Sequence, residues 1–204
     1  MPPAHVVIIG AGMVGVSAAK VAMGMGARVS ILDISADKLR YLDDIFGGRV
    51  HTVMSNSYWV SRLTRDADLL IGAVLIPGAK SPHIVKEEMV KSMKPGSVVI
   101  DIAIDQGGCI ETCDMPTTHS NPIIEKHGII HYSVANIPGA VPRTSTLALT
   151  NVTLPYVLKI ANLGLVAAVK KDTALSRGVN TYDGNLVHEA VARSLEMEYV
   201  EARW

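Results

Sequence analysis

The stretch PPAHVVIIGAGMVG, residues 2–15, governs how the rest of the sequence is interpreted. Val6–Ile9 is a short apolar run typical of a buried strand. Gly10, Gly12 and Gly15 follow it as a G-x-G-x-x-G turn, and the stretch after them predicts a helix. The first glycine allows the tight turn, the second lets a pyrophosphate approach the backbone, and the third lets helix and strand pack closely. Strand, turn and helix together predict a nucleotide-binding domain.

An acidic residue stands where such a domain needs one for the ribose of its nucleotide. Asp33 ends the second apolar run, 18 positions after Gly15 (33 − 15), and the expected spacing is about 20. A carboxylate there accepts hydrogen bonds from both ribose hydroxyls and repels a 2′-phosphate, so NAD is favoured over NADP. Lys38 and Arg40 are close enough to weaken that preference. The alternative is that Asp33 caps the next helix at its N-terminus.

Apolar runs alternate with amphipathic stretches along the first two thirds of the chain. The runs that predict strands are Val6–Ile9, Arg28–Leu32, Arg49–Val53, Leu69–Leu75, Val98–Ala103 and Ile129–Ala135. The stretches that predict helices between them are Val14–Met25, Ser35–Phe46, Asn56–Arg65 and Pro82–Met93. This alternation predicts an α/β class protein with a doubly wound parallel sheet, the Rossmann fold, in the strand order 3-2-1-4-5-6.

The pattern changes after Asn136, where a joint rich in proline and glycine begins. We place a domain boundary there, with a nucleotide-binding Rossmann domain over residues 1–138 and a helical C-terminal segment over residues 139–204. No strand pattern is found in this segment, and its predicted helices are Thr144–Leu163, Leu165–Lys171 and Asn185–Leu195. We expect the segment to pack on a surface outside the first domain.

The loops at the carboxyl ends of the strands are the expected ligand site. In the predicted order, strands one and four lie side by side and their loops diverge, which is where such sheets bind ligands. The loops Leu75–Lys80 and Asp105–Gly108, and the loop that starts at Asn136, are expected to open on the crevice of the glycine turn. Asp105 is the best acidic candidate near the nicotinamide, although an Asp before two glycines is also a common turn residue. Asp101, in mid-strand, is expected to be structural.

Composition argues against several classes of function. The 19 basic and 19 acidic residues balance, so charge gives no case for binding nucleic acid or an acidic membrane surface. No apolar run of about 18 residues predicts a membrane span, and no secretion signal is found, so we expect a cytoplasmic protein. Cys109 and Cys113 are expected to be buried apolar groups or loop thiols, and His127 and His131 to be surface or loop residues. We expect no metal site.

Five longer stretches resemble a known family. They are ILDISADKLRYLDDIFGGRV (31–50), ADLLIGAVLIPGAKSP (67–82), MKPGSVVIDIAIDQGG (93–108), VANIPGAVPRTST (134–146) and ALTNVTLPYVLKIAN (148–162). They are similar to bacterial L-alanine dehydrogenase, and the similarity covers essentially the whole chain. The NAD domains of proton-translocating transhydrogenases are more distant relatives that share the glycine loop. The resemblance implies an NAD-dependent oxidoreductase that converts L-alanine reversibly to pyruvate and ammonia, with a hydride passing between the α-carbon and nicotinamide C4.

The resemblance also implies roles for residues of this sequence. Asp33 matches the adenosine-ribose ligand, with Lys38 and Ser55 on the adenosine side. Asp105 matches the active-site aspartate and is the catalytic acid–base candidate, and Asn136 lies beside the substrate and the nicotinamide. The set implied for cofactor binding is Gly10, Gly12, Met13, Val14, Gly15, Asp33, Ile34, Lys38, Ser55, Val74, Leu75, Ile102, Asp105, Asn136 and Ile137.

The family's substrate half is implied to lie upstream of the glycine turn. It supplies an arginine, a lysine and a catalytic histidine that match no residue of this sequence. Because substrate positioning is worth roughly 7–11 kcal/mol of barrier, we expect this chain to bind NAD and to show turnover near zero by itself. The alternative to an enzyme is an NAD-binding module without catalysis of its own, such as the NAD-binding domain of a transhydrogenase.

The C-terminal helices of the family return to pack on that substrate half. Without it we expect Leu154, Val157, Leu158 and Ile160 to form an exposed apolar face. Large exposed apolar surfaces mark interaction sites, so the chain is expected to form a homo-oligomer or to pair with a separate substrate-domain chain.

Overall fold

The computed structural model of the protein describes every residue except Pro77 and Ala79. The chain forms two compact units. The first, the sheet unit, consists of Met1–Ile76 and Lys80–Ile137, and the second, the C-terminal unit, consists chiefly of Pro138–Trp204.

A seven-stranded sheet forms the centre of the sheet unit. Its strands are β1 (His5–Ile9), β2 (Arg28–Asp33), β3 (His51–Met54), β4 (Leu69–Gly72), β5 (Val98–Asp101), β6 (Ile123–Lys126) and β7 (Ile129–Tyr132). Their order is β3-β2-β1-β4-β5-β7-β6, and all neighbours pair in parallel except β6 and β7. The predicted doubly wound sheet is confirmed, with β7 in the place of the sixth predicted strand. The antiparallel edge strand β6 was not predicted.

In the residues that the structure describes, four α-helices connect the strands from β1 to β5. They are α1 (Met13–Gly24), α2 (Ala36–Phe46), α3 (Ser57–Asp66) and α4 (Glu87–Lys91). Helix α2 begins where the Ser35 hydroxyl accepts the Lys38 N–H, and α3 begins where the side-chain Oδ1 of Asn56 accepts the Trp59 N–H at 2.9 Å. Helix α2 ends at Gly47, whose φ of 57° is the left-handed conformation common at helix ends.

The helix predicted over Pro82–Met93 is wrong in length, because only Glu87–Lys91 is helical. Residues just before it form hydrogen bonds with a distant loop instead. The N–H groups of Ile84 and Val85 both donate to the Cys109 carbonyl, at 2.9 and 3.2 Å. These long-range bonds hold the chain extended where the local pattern favoured a helix.

Apolar side chains pack on both faces of the sheet. Along β1, Val7 and Ile9 belong to one cluster and Val6 and Ile8 to the other, and all four are almost fully buried. Parallel strands covered on both faces are continuous apolar runs, which is why β1 was recognisable in the sequence. The sheet therefore holds its carboxyl ends, where the candidate site lies, on a rigid base.

The C-terminal unit is mainly helical. Its elements are α5 (Pro142–Leu163), α6 (Leu165–Lys171), α7 (Thr173–Gly178), the short strands β8 (Thr181–Tyr182) and β9 (Asn185–Leu186), and α8 (Glu189–Leu195). The expectation of a unit without strands is wrong, and so is a helix starting at Asn185. Asp183 and Gly184 have φ values of 49° and 74°, as a two-residue hairpin turn requires, and this turn pairs β8 with β9.

Helix α5 has no buried residue over its 22 positions. Leu154, Val157 and Leu158 are 53%, 57% and 51% exposed, as expected from the sequence, whereas Ile160 is half-buried. Among the residues that the structure describes, no helix is both long enough and apolar enough to cross a membrane.

Candidate functional site

The glycine turn joins the end of β1 to the start of α1. A side chain on Gly10, whose φ is 109°, would lie 2.5 Å from the carbonyl oxygen of Ala73. A side chain on Gly15 would lie 1.9 Å from the carbonyl oxygen of Gly10. A Cβ on Gly12 would meet nothing within 4 Å and would project from the wall of a cavity. Packing therefore requires Gly10 and Gly15, whereas Gly12 leaves room for a ligand.

Asp33 is fixed beside this turn at the end of β2. One carboxylate oxygen accepts the Ala11 N–H at 2.8 Å, and the other accepts the Ser35 N–H at 2.9 Å. The Lys38 ammonium lies 3.6 Å from the first oxygen. Because Ser35 provides the N-terminal cap of α2, Asp33 does not act as that cap. Its carboxylate keeps lone pairs that can accept further hydrogen bonds, for example from the hydroxyl groups of a ribose.

A cavity of about 640 Å³ opens at the carboxyl ends of β1, β2, β4 and β5. The predicted residues that line it are Gly10, Gly12, Met13, Val14, Asp33, Ile34, Lys38, Ser55, Val74, Leu75 and Ile102. The lining residues that sequence reasoning missed are Ile9, Leu32, Ala73, Ile76, Pro82, Ile84 and Ala103. Of the missed residues, Ile9, Leu32, Ala73 and Ala103 lie within two positions of a strand end, so the predicted strand order could have identified these four.

The cavity fits a dinucleotide. Its volume lies within the range of roughly 300–1,000 Å³ typical of small-molecule sites, and its wall is mainly apolar. At its centre, the N-terminus of α1 has no acidic residue in its first turn, so its free N–H groups suit a pyrophosphate. Asp33 and Lys38 lie on the β2 side of this centre, and Val74 and Ile102 lie on the β4 and β5 side.

Four predicted residues do not line the cavity. Gly15 packs against the Gly10 carbonyl oxygen within the glycine turn, and Asp105, Asn136 and Ile137 lie on later loops. The structure nevertheless brings two of them together, because the Asp105 carboxylate accepts the Asn136 N–H at 3.2 Å. Of the predicted loops, Leu75–Lys80 contributes Leu75 and Ile76 to the cavity wall, whereas no residue of Asp105–Gly108 lines it and neither does Asn136. The wall at the end of β5 is formed by Ile102 and Ala103 instead. Pro77 and Ala79, in the predicted Leu75–Lys80 loop, lie outside the described residues.

Asn136 is held from two sides. Its φ is 53°, in the left-handed region that asparagine tolerates better than most side chains. Its N–H donates to Asp105, and its carbonyl oxygen contacts Nε2 of His119 at 3.1 Å. Sequence reasoning missed His119, which lies 17 positions before Asn136 in a loop without a periodic pattern.

The two cysteines and His131 are buried side chains with structural contacts. Burial raises the pKa of Cys109 and of Cys113 to about 12, so both remain thiols at neutral pH. His131 is fully buried, contrary to the expected surface or loop position, and its Nε2 lies 2.8 Å from the Thr112 hydroxyl. His127 pairs with Glu87 at 2.8 Å. In the part of the chain that the structure describes, no group of three His, Cys, Asp or Glu side chains is arranged to hold a metal ion.

Comparisons with known proteins agree on one family. The family described as "Alanine dehydrogenase/PNT, C-terminal domain" matches residues 1–189. The chain is 60% identical over 200 residues to an alanine dehydrogenase of Methanococcus maripaludis, covering 98% of this chain and 54% of that protein. A solved structure of an L-alanine dehydrogenase aligns with a TM-score of 0.85 and 49% identity over 96% of this chain and 54% of that one.

A more distant solved structure belongs to a transhydrogenase from Sinorhizobium meliloti. It aligns with a TM-score of 0.69 and 27% identity over 93% of this chain and 51% of that one. The chain thus spans about half the length of the relatives it matches.

Proposed function

Because the chain belongs to the alanine dehydrogenase/PNT C-terminal domain family, we propose that it is the cofactor-binding part of an NAD-dependent alanine dehydrogenase. The proposed reaction is the reversible oxidative deamination of L-alanine to pyruvate and ammonia. The observation that carries the proposal is the cavity at the carboxyl ends of the sheet, with the glycine turn at its centre and Asp33 on one side.

The proposed cofactor orientation follows from the position of Asp33. Its carboxylate takes the adenosine ribose hydroxyls on the β2 side, and Lys38 and Ser55 line the same side. The pyrophosphate lies against Gly12 and the N-terminus of α1. The negative charge of Asp33 disfavours a 2′-phosphate, so NAD is preferred to NADP. The Lys38 ammonium, 3.6 Å from Asp33, reduces that preference without reversing it.

Asp105 and Asn136 are the proposed reaction-side residues. Bound NAD supplies the hydride acceptor, which is the chemistry that the chain's own side chains lack. Asp105 is exposed, and its carboxylate is oriented by the Asn136 N–H at 3.2 Å. An exposed, oriented carboxylate is suited to exchange protons with a substrate or a water molecule. We assign Asp105 the acid–base role and Asn136 a place beside substrate and nicotinamide.

The proposed domains follow the change of pattern near Pro138. Residues 1–138 form the NAD-binding domain, and residues 139–204 pack on a substrate domain. The exposed apolar residues of α5 support a contact either with a second copy of this chain or with a substrate domain. The proposed small-molecule partners are L-alanine and pyruvate, without a nucleic-acid or membrane partner, and the proposed location is the cytoplasm.

The test measures binding and turnover in the same sample. NADH binding to the purified chain is followed by the fluorescence of the nucleotide, and L-alanine-dependent NADH formation is followed by absorbance. We expect saturable NADH binding and almost no turnover. Absence of NADH binding would contradict the proposed function, and rapid turnover would show that substrate-holding groups lie within these 204 residues.

The second candidate is an NAD-binding module without catalysis of its own, such as a transhydrogenase domain. The similarity to the Sinorhizobium meliloti transhydrogenase favours it. A chimera separates the two candidates by joining this chain to the part of the Methanococcus maripaludis alanine dehydrogenase that it does not match. Alanine-dependent NADH formation by the chimera supports the enzyme, and NADH binding without turnover supports the module. The matched control is Asp105→Asn in the chimera, which should lose turnover far more than NADH binding.

A further inference from the structure

A single buried carboxylate ties together both ends of the loop that follows β5. Asp101 is 0% exposed. One of its oxygens accepts the Ala103 N–H at 3.0 Å, where the loop begins. The other accepts the N–H groups of Cys109 and Ile110 at 2.8 and 2.9 Å, where the loop ends. Three backbone donors therefore converge on one side chain and close the intervening residues into a defined loop.

This loop carries residues of the candidate site, although Asp101 itself does not line the cavity. Ile102 and Ala103 form part of the cavity wall. Asp105 lies at the turn of the loop and accepts the Asn136 N–H at 3.2 Å. We propose that Asp101 is a positioning residue, which fixes Asp105 and the wall formed by Ile102 and Ala103 through its three backbone hydrogen bonds. The proposal rests on the function proposed above.

Burying a carboxylate at this position costs free energy unless its oxygens accept hydrogen bonds. Strand β5 lies between β4 and β7, where parallel strands are normally apolar. Burial raises the pKa of Asp101, and the N–H groups of Ile110, Cys109 and Ala103 act in the opposite direction. An apolar residue could fill the same space, but it could not accept three N–H groups that would otherwise be buried without partners.

The loop is also shaped to leave room for this carboxylate. Gly108 has a φ of 73°, and a Cβ there would lie 3.0 Å from the Asp101 carboxylate and 3.3 Å from the Cys113 carbonyl oxygen. A glycine at this position allows Cys109 and Ile110 to direct their N–H groups at Asp101. The same contact provides a second way to disturb the carboxylate without replacing it.

The strand order predicts which half of the cofactor depends on Asp101. Asp33 follows β2, on one side of β1, and the loop after β5 lies on the other side, beyond β4. With the adenosine ribose at Asp33, the loop after β5 faces the nicotinamide half. A positioning role therefore affects the nicotinamide half selectively, whereas a general role in stability affects both halves.

The experiment compares two ligands on the 204-residue chain and its Asp101→Asn variant. Dissociation constants are measured for NADH and for ADP-ribose, which lacks the nicotinamide ring. Because the Asn amide group donates where a carboxylate oxygen accepted, we expect the NADH affinity to fall roughly tenfold and the ADP-ribose affinity to stay within about twofold. An equal fall for both ligands, or no change for either, would overturn the proposal.

The matched control is Ser97→Ala, directly before β5. The buried Ser97 hydroxyl donates to the Ala67 carbonyl at 3.1 Å, so this variant also loses a buried hydrogen bond beside the same strand. Both affinities should be unchanged in it. If the original chain bound ADP-ribose but not NADH, or neither, the proposed function would fail, and this proposal with it.

A second variant covers the case in which Asp101→Asn does not fold. Gly108→Ala presses on the same carboxylate and leaves Asp101 in place. We expect the same selective loss of NADH binding over ADP-ribose binding. Equal losses for the two ligands in this variant would overturn the positioning role.

Discussion

Leu70 in β4 is completely buried, whereas Leu158 in α5 keeps 51% of its surface exposed. The two residues represent the two units to which they belong. The sheet unit covers both faces of its sheet with its own helices and loops, and α5 has no buried residue at all. A helix with apolar side chains around much of its surface is typically buried against something else. The apolar sequence of the sheet unit is thus explained by its own fold, whereas the exposed apolar residues of α5 support the proposed contact with another surface.

The sharpest test of this contrast makes the same truncation in both units. Leu70→Ala leaves a cavity in a packed core and should reduce the free energy of unfolding by roughly 3–5 kcal/mol. Leu158→Ala removes atoms that are already half in water and should change it by less than about 0.5 kcal/mol. Urea denaturation, followed by circular dichroism at low protein concentration, measures both.

The same two denaturation measurements at high protein concentration test whether α5 associates with another copy. If α5 is an interface between copies, Leu158→Ala should become more destabilising as concentration rises, because association stabilises the folded chain. Light scattering on the same samples reports the association directly. A large loss for Leu158→Ala at every concentration would break the comparison, since it would place α5 in the core of a single chain.

The next prediction distinguishes a glycine that the packing of the sheet unit requires from a glycine that leaves room for a ligand. Gly15→Ala places a methyl group against the Gly10 carbonyl oxygen. It should lower the free energy of unfolding by about 3 kcal/mol and also weaken NADH binding. Gly12→Ala is the matched control, since its methyl group meets no protein atom within 4 Å. It should retain stability and lose NADH affinity. Thermal unfolding with and without NADH distinguishes the two, and equal stabilities would contradict the packing role of Gly15.

A smaller effect is expected from Asp33→Ala. The variant removes the proposed ribose acceptor together with the partner of the Ala11 N–H. Loss of a charged hydrogen-bond acceptor is worth about 2 kcal/mol, so NADH should bind roughly thirtyfold more weakly. The affinity for NADPH should fall much less, because the same change removes a negative charge that repels the 2′-phosphate. Fluorescence titrations with both nucleotides measure the ratio, and an unchanged ratio would contradict the ribose assignment.

The smallest expected effect is the pH dependence of the free energy of unfolding that arises from buried histidines of the sheet unit. Burial lowers the pKa of His5 and of His131 below the ordinary value of 6.5. The unfolded chain therefore binds protons at a higher pH than the folded chain. The stability due to these neutral histidines is complete well above pH 6.5 and is lost as the pH falls through that value toward the lowered pKa.

Urea midpoints at pH 8 and pH 5.5 measure this loss. His131→Gln should lower the midpoint at both pH values through lost hydrogen bonds, but the difference between the two should shrink. A difference equal to that of the original chain would show that His131 does not contribute to the pH dependence.

Local signals in the sequence were sufficient for the part of the cavity wall around the glycine turn and Asp33. The glycine turn and Asp33 belong to one strand–helix–strand segment, in which rigid elements fix the spacing. The strand β6 lacked such a signal because Ile123–Lys126 has no buried residue and lies at the sheet edge. The Asp183-Gly184 turn was a readable hairpin signal, but it stands directly before Asn185–Leu195, which was predicted to be a helix.

The conformation of the loop after β5 depended on contacts that sequence patterns do not reveal. The donors to Asp101 lie two, eight and nine positions further along the chain, in a loop without apolar periodicity. Likewise, the extended conformation of Ile84 and Val85 depends on the Cys109 carbonyl, more than 20 positions away. In these cases tertiary hydrogen bonds outweighed local preference.

The buried cysteines provide a reporter for one unit only. The chain has two cysteines, and both Cys109 and Cys113 lie in the sheet unit with thiol pKa values raised to about 12. A maleimide at neutral pH should therefore modify the folded chain only when the segment after β5 opens. The labelling rate then measures that opening, while fraying of α5 remains silent. Slower labelling on addition of NADH would show that the nucleotide closes this segment, without any mutation.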